Sequence, residues 1–151
     1  TPQHIAQVDE NGVGYWLDAA TTAAELLDEA LTAKHNEIDN AMAENVCTEF
    51  QCSTLGSVHS YDCREVDQKN IAQAIRIATN SGSESYLAKA TGQFYSMTSH
   101  TLNQLKDVDM CMFEHINSNR TIARLKKGEA VAAHENGDID AINAVDVSNW
   151  T

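Results

Sequence analysis

The chain has 151 residues, 22 of them acidic and 10 basic, for a formal charge of -12 with histidines neutral. A surface of that sign repels phosphate backbones at long range, which argues against nucleic-acid binding. No run approaches the about 18 consecutive apolar residues of a bilayer span, and no basic segment leading into an apolar run resembles a signal peptide, so a soluble product made in the cytoplasm, without membrane insertion, is expected. The hydrophobic fraction is 42% but the aromatic fraction only 6%, which leaves one lean domain, either compact by itself or elongated and completed by partner subunits.

In chain order, Ile5 to Val8 and Val13 to Leu17 flank the turn residues Asn11 and Gly12, which predicts a short hairpin or extended arm. Tyr15, Trp16 and Leu17 concentrate apolar area there, to pack on the first helix or to anchor the arm on another subunit. Thr22-Ala23-Ala24-Glu25 matches a capping box, in which the hydroxyl and the carboxylate satisfy free amides at a helix start. Leu27, Leu31, Ile38 and Met42 then share one stripe, with Glu29, Lys34, Asn36, Glu37 and Asp39 available to water, so a helix is predicted from about Thr22 to Ala43.

Phe50, Val58 and Tyr61, set among small polar residues around Leu55-Gly56-Ser57, predict a β-hairpin. Asp62 to Glu65 offers a second helix start, and Val66, Ile71, Ala74, Ile75 and Ala78 trace its stripe until Asn80 to Ser83 end it. Tyr86 to Ala88 and Phe94 to Met97 predict another hairpin. Two such hairpins are marginal alone, so pairing with each other, with the arm or with a neighbouring chain is expected. Thr98 or Ser99 is the expected cap of a long final helix carrying Leu102, Leu105, Met112 and Ile116. The polar run Ile116 to Arg120 predicts a bend or break in it, and Gly128 a weak point. Asp138 caps a short helix through Val145, and Trp150 gives the tail an apolar anchor. The fold class is therefore α+β, mainly α, with two long helices, shorter helices and small hairpins: an arm over residues 1 to 21 and a helical domain over 22 to 151.

From LLDEALTAKHNEIDNAM onward the order of segments resembles a family of uncharacterised domains in bacteriophage tail-associated proteins. The landmarks are YDCREVDQKNIAQAIRIA after a hairpin, FYSMTSHTLNQL as a strand running into a helix, and RLKKGEAVAAHENGDIDAINAV followed by Trp150. The match spans roughly Leu26 to Trp150 and rests on the order of loose packing patterns. Tyr86 stands where the family pattern has a tryptophan, and Thr91-Gly92 replaces a more acidic turn. The resemblance implies a structural virion part of a tail, baseplate or fibre, synthesised in the host cytoplasm and acting with other tail or fibre proteins as a homo-oligomer; a tail-fibre assembly chaperone is the alternative. It transfers no catalytic residue and no cofactor. Tyr15, Trp16, Leu17 and Trp150 are the expected interface residues.

Candidate chemistry is sparse. Asp107, Cys111 and His115 are four residues apart on one helical face, where Cys111 and His115, with His100 added, could grip a transition metal. The plainer reading is a buried cysteine beside an interfacial histidine. Cys63, next to Arg64 and near His59, sits at a predicted helix start, but adjacent Asp62 opposes a thiolate and no nucleophile motif surrounds it. Asp138-Ile139-Asp140 lacks the other positions of a calcium loop. Cys47, Cys52 and Cys63 lie around the first predicted domain hairpin, where a bridge between two of them is geometrically open; reduced thiols are the default. No enzyme is expected.

Overall fold

The computed structural model describes the chain except residues 1–3, 9–10, 13, 92–93 and 151; over residues 4–8, 15–21, 85–86, 88–91 and 94–95 it describes the backbone alone. Among the described residues ten elements follow in order: β1 (His4–Val8), β2 (Gly14–Asp18), α1 (Ala19–Val46), β3 (Phe50–Cys52), β4 (His59–Tyr61), α2 (Glu65–Ser81), β5 (Ser85–Thr91), β6 (Phe94–His100), α3 (Leu102–Glu135) and α4 (Ile139–Ala144). This is the mainly helical α+β class. The strands form three separate antiparallel pairs, β1 with β2, β3 with β4 and β5 with β6. Among the described residues the expected hydrogen bonding between the two later hairpins, or between them and the arm, is thus not found: β4 lies beside β5, but each ladder closes on itself.

The chain divides into two compact units. One comprises residues 1–40 and 123–149, the other residues 41–122 with Trp150. The division runs through α1 and α3, and the boundary expected between residues 21 and 22 falls inside α1.

In the first unit, Gly12 takes φ +78° between β1 and β2, the left-handed conformation a tight hairpin turn needs and glycine adopts without strain. α1 begins at Ala19 rather than at Thr22. The capping-box residues therefore lie within its first turns, because Ala19 and Ala20 extend a helix readily. Ile38 is fully buried, and so is most of Lys34, 7% exposed. Lys34 was expected to face water, yet positions 31, 34 and 38 follow the same three- and four-residue spacing. Its stem therefore enters the stripe while Nζ donates to the Val145 carbonyl at 3.3 Å and pairs with Glu37 at 2.7 Å. Around these stand Ala130, Ala133, Ile142 and Val145. Asp138 caps α4 as expected, its carboxylate accepting from the Ala141 amide at 2.8 Å.

The second unit holds a larger core of Phe50, Cys52, Tyr61, Cys63, Ile71, Ala74, Ala78, Leu87, Leu105, Val108 and Met112. β3 alternates buried Phe50, exposed Gln51 and buried Cys52, the period of two that a half-covered strand requires. α2 buries Ile71, Ala74 and Ala78, while Val66, in its first turn, is 56% exposed and off the core. α2 stops where Gly82 turns left-handed and its amide bonds back to the Ala78 carbonyl.

α3 begins later than Thr98 or Ser99, because both pair in β6, whose last residue His100 lies opposite Ser85. Thr101 supplies the cap: its amide donates to the Gln104 side chain at 2.9 Å and its hydroxyl accepts from the Gln104 amide at 3.4 Å. That reciprocal pair is a capping box. The helix then runs 34 residues without the expected break. Asn119, 7% exposed, takes the stripe position after Ile116, and its amide group donates to the His115 carbonyl at 2.9 Å. Thr121 does the same to the Asn117 carbonyl. The polar run satisfies itself along the helix and leaves the backbone ladder intact.

Candidate functional site

The most chemically dense region of the second unit is where β3 and β4 meet α3 and the end of β6. Cys52 and Cys111 are bridged across a sequence separation of 59, with Cα atoms 5.9 Å apart. This corrects three expectations, the first being reduced thiols as the default. The bridge does not join two of Cys47, Cys52 and Cys63, and Cys111 is not available as a metal-binding thiolate. Cys47 is an exposed free thiol and Cys63 a buried one. Local spacing misled because a pairing over 59 residues is set by how the hairpin packs on α3, not by proximity in the chain.

His115 faces the same corner. Its Nε2 lies 3.2 Å from the Asn45 carbonyl, and its ring is tilted against Phe50 at 6.2 Å. A carbonyl only accepts, so Nε2 carries the proton and points away from any ligand role. Asp107, the third member of the expected metal face, accepts instead from the Thr54 hydroxyl at 2.8 Å. Among the described residues no three His, Cys, Asp or Glu side chains come together as a metal site.

Beside the disulfide lies a pair that the sequence reading did not single out. Tyr61 and His100 are 2% and 0% exposed, with the phenol oxygen 3.0 Å from Nε2 of the imidazole. His100 Nδ1 is 2.8 Å from the Thr98 carbonyl, so Nδ1 holds the proton and Nε2 accepts the Tyr61 hydroxyl. Burial raises the Tyr61 pKa, which keeps that donor protonated. Phe50 stacks on Tyr61 at 5.6 Å, and Tyr61 meets His100 edge-on at 5.9 Å. Cys63 is fully buried, and desolvation, then Cys47 and Asp67, push its thiol up to about 11. A thiol held protonated is a poor nucleophile, so Cys63 packs rather than reacts.

These groups are closed in the core. The surface of the second unit also exposes large apolar side chains. Met110 and Phe113, three residues apart on one face of α3, are 56% and 58% exposed, and Met97, Val58 and Ile77 are also exposed. The sequence reading missed Met110 and Phe113; their position off the buried Leu105, Val108, Met112 stripe is the signal that could have found them. In the first unit Leu26 and Leu125 are exposed large apolar residues.

The expected docking residues fall in β2, where Tyr15 pairs with Gln7, Trp16 with Ala6 and Leu17 with Ile5. Their side chains lie outside the described residues. Trp150 is half-buried and has a partner. No helix among the described residues is long and apolar enough to cross a membrane. No family model matches the chain, nor does any curated protein or solved structure compared with it.

Proposed function

We propose that the chain is a structural component of a tailed bacteriophage particle, working by protein-protein contact in a tail, baseplate or fibre. Two things support this reading. One is the order of sequence segments from Leu26 to Trp150, which is similar to that of phage tail-associated domains. The other, which carries the contact role, is the exposure of Met110 and Phe113 at more than half their surface in a chain of formal charge -12. Large apolar side chains left in water on one helical face favour a protein partner, since covering them recovers the free energy of hydration that folding left behind. Hairpin β1–β2, a separate two-stranded sheet at the start of the chain, is the second contact element, and its own size leaves it dependent on a neighbour.

The test is incorporation. Purified particles of the source phage are analysed by mass spectrometry with the full-length chain, with residues 1–18 deleted, and with Met110→Ser/Phe113→Ser. The full chain is expected in mature particles and both variants depleted from them. A chain present during assembly but missing from mature particles points to an assembly chaperone, and unchanged incorporation of both variants refutes the contact role.

A further inference from the structure

Hairpin β3–β4 is short. Its ladder consists of Phe50 opposite Tyr61, Gln51 opposite Ser60 and Cys52 opposite His59, and a ribbon of that size does not hold itself together in water. It depends on what it packs against. The ties that bind it to α3 are the exposed hydrogen bond from Thr54 to Asp107, the tilted contact of Phe50 with His115, and the bond between Cys52 and Cys111. The first is open to water and the second is weak; the burial of Phe50 and Tyr61 in the core and the Tyr61 hydrogen bond to His100 on β6 add a non-covalent hold, and the disulfide is the covalent tie among them, the one a reagent can remove.

We propose that Cys52–Cys111 is a redox latch: the bond pins hairpin β3–β4 on α3, and its reduction lets the hairpin lift from the helix. The latch lies over the apolar centre of the second unit. Phe50 at 3% and Tyr61 at 2% exposure come from the hairpin, and Leu105, Val108 and Met112 from the helix. Lifting the hairpin opens that surface. Access favours attack from one side, because Cys111 is half-buried whereas Cys52 is 4% exposed. Closing follows from ordinary thiol chemistry. Cys111 as thiolate attacks a low-molecular-weight disulfide and releases one small thiol; Cys52, deprotonated, then displaces the second, so two protein thiols are oxidised while one reagent disulfide becomes two thiols. A dithiol reductant reverses the sequence, taking the two electrons back into the protein sulfurs and leaving with its own disulfide closed.

The remaining cysteines are built-in controls. Cys47 is exposed, and Cys63 is buried at 0% exposure away from reagents. The oxidised full-length chain is labelled with a maleimide under native conditions, before and after treatment with a dithiol, and hydrogen exchange is followed by mass spectrometry. Before reduction Cys47 alone should react; afterwards Cys111 and Cys52 should react as well, while Cys63 stays protected. Exchange over Phe50 to Tyr61 should accelerate at least about tenfold on reduction, with α2 and the second half of α3 unchanged. Cys52→Ser/Cys111→Ser should show the fast hairpin exchange without dithiol and no further response to it. Four reactive thiols in the air-oxidised, denatured chain would overturn the proposal. So would hairpin exchange unaffected by reduction, or exchange accelerated equally everywhere, which would make the bond a global staple. If the double variant does not fold, reduction of the wild-type chain decides the matter by the same readings.

Discussion

Replacing Tyr61 with phenylalanine removes a single oxygen from the most enclosed part of the second unit. The ring stays, and with it the stacking on Phe50 at 5.6 Å and the edge contact with His100 at 5.9 Å. What disappears is the hydroxyl donated at 3.0 Å to His100 Nε2. Because Nδ1 is committed to the Thr98 carbonyl at 2.8 Å, the imidazole cannot flip its proton to Nε2 without breaking that bond. The variant therefore leaves a buried acceptor without its donor, a loss of about 1–3 kcal/mol, larger than the about 0.5–1.5 kcal/mol net worth of a typical bond. For a chain of this size each kcal/mol lowers Tm by roughly 2–4 °C, so Tyr61→Phe should melt about 2–12 °C below wild type. Urea titration should show a lower midpoint with unchanged slope, since the surface exposed on unfolding stays the same. Tyr61→Phe/His100→Leu removes the acceptor as well and should lose less than the sum of the two single changes. A Tyr61→Phe destabilisation below about 0.5 kcal/mol, the range of ordinary surface substitutions, would refute the argument that this hydroxyl satisfies His100.

Three further outcomes follow from other parts of the fold. The Cys63 thiol is raised from its ordinary 9.0 to about 11; the unfolded chain loses that proton first, so stability is full below pH 9 and falls as pH rises through this window. Denaturation midpoints measured from pH 8 to 11 should fall less steeply in Cys63→Ala than in wild type, with the Tyr61 contribution common to both. Thr101→Ala removes the hydroxyl of the α3 capping box and should cost about 1 kcal/mol in urea denaturation, whereas Thr101→Ser should be close to neutral. Lys34→Met keeps the buried stem and should cost about 1–2 kcal/mol, because the half-exposed Glu37 returns to water while the Val145 carbonyl loses its donor. Lys34→Ala, which also empties the stem's space, should cost about 2 kcal/mol or more by the same titration.

Local rules carried the element identities. Leu27, Leu31, Ile38 and Met42 marked α1, Ile71, Ala74 and Ala78 marked α2, and Gly12, Gly56 and Gly82 fell where φ is positive. Asp138 was legible as a cap because capping involves only the next few residues. The start of α3 was not: Thr98 and Ser99 are equally good caps in isolation, and only pairing with β5 commits them to a strand and passes the role to Thr101. Lys34 was expected to face water and Asn119 to belong to a helix-breaking polar run; position on the stripe buries both, and the Val145 and His115 carbonyls make that burial tolerable.

The candidate site divides in the same way. Met110 and Phe113 were not singled out from the sequence, although both fall off the Leu102, Leu105, Met112 stripe, a signal that periodicity could have supplied. The disulfide and the Tyr61–His100 pair carry no such signal, since their partners lie 59 and 39 residues apart. The sequence by itself determined which segments are helix or hairpin, the acidic surface and the lean core, because these depend on interactions a few residues long or on composition. The tertiary structure alone decided which sulfurs bond, which imidazole nitrogen accepts, and which polar side chains are buried, because each requires two distant segments to meet at a distance of a few ångströms.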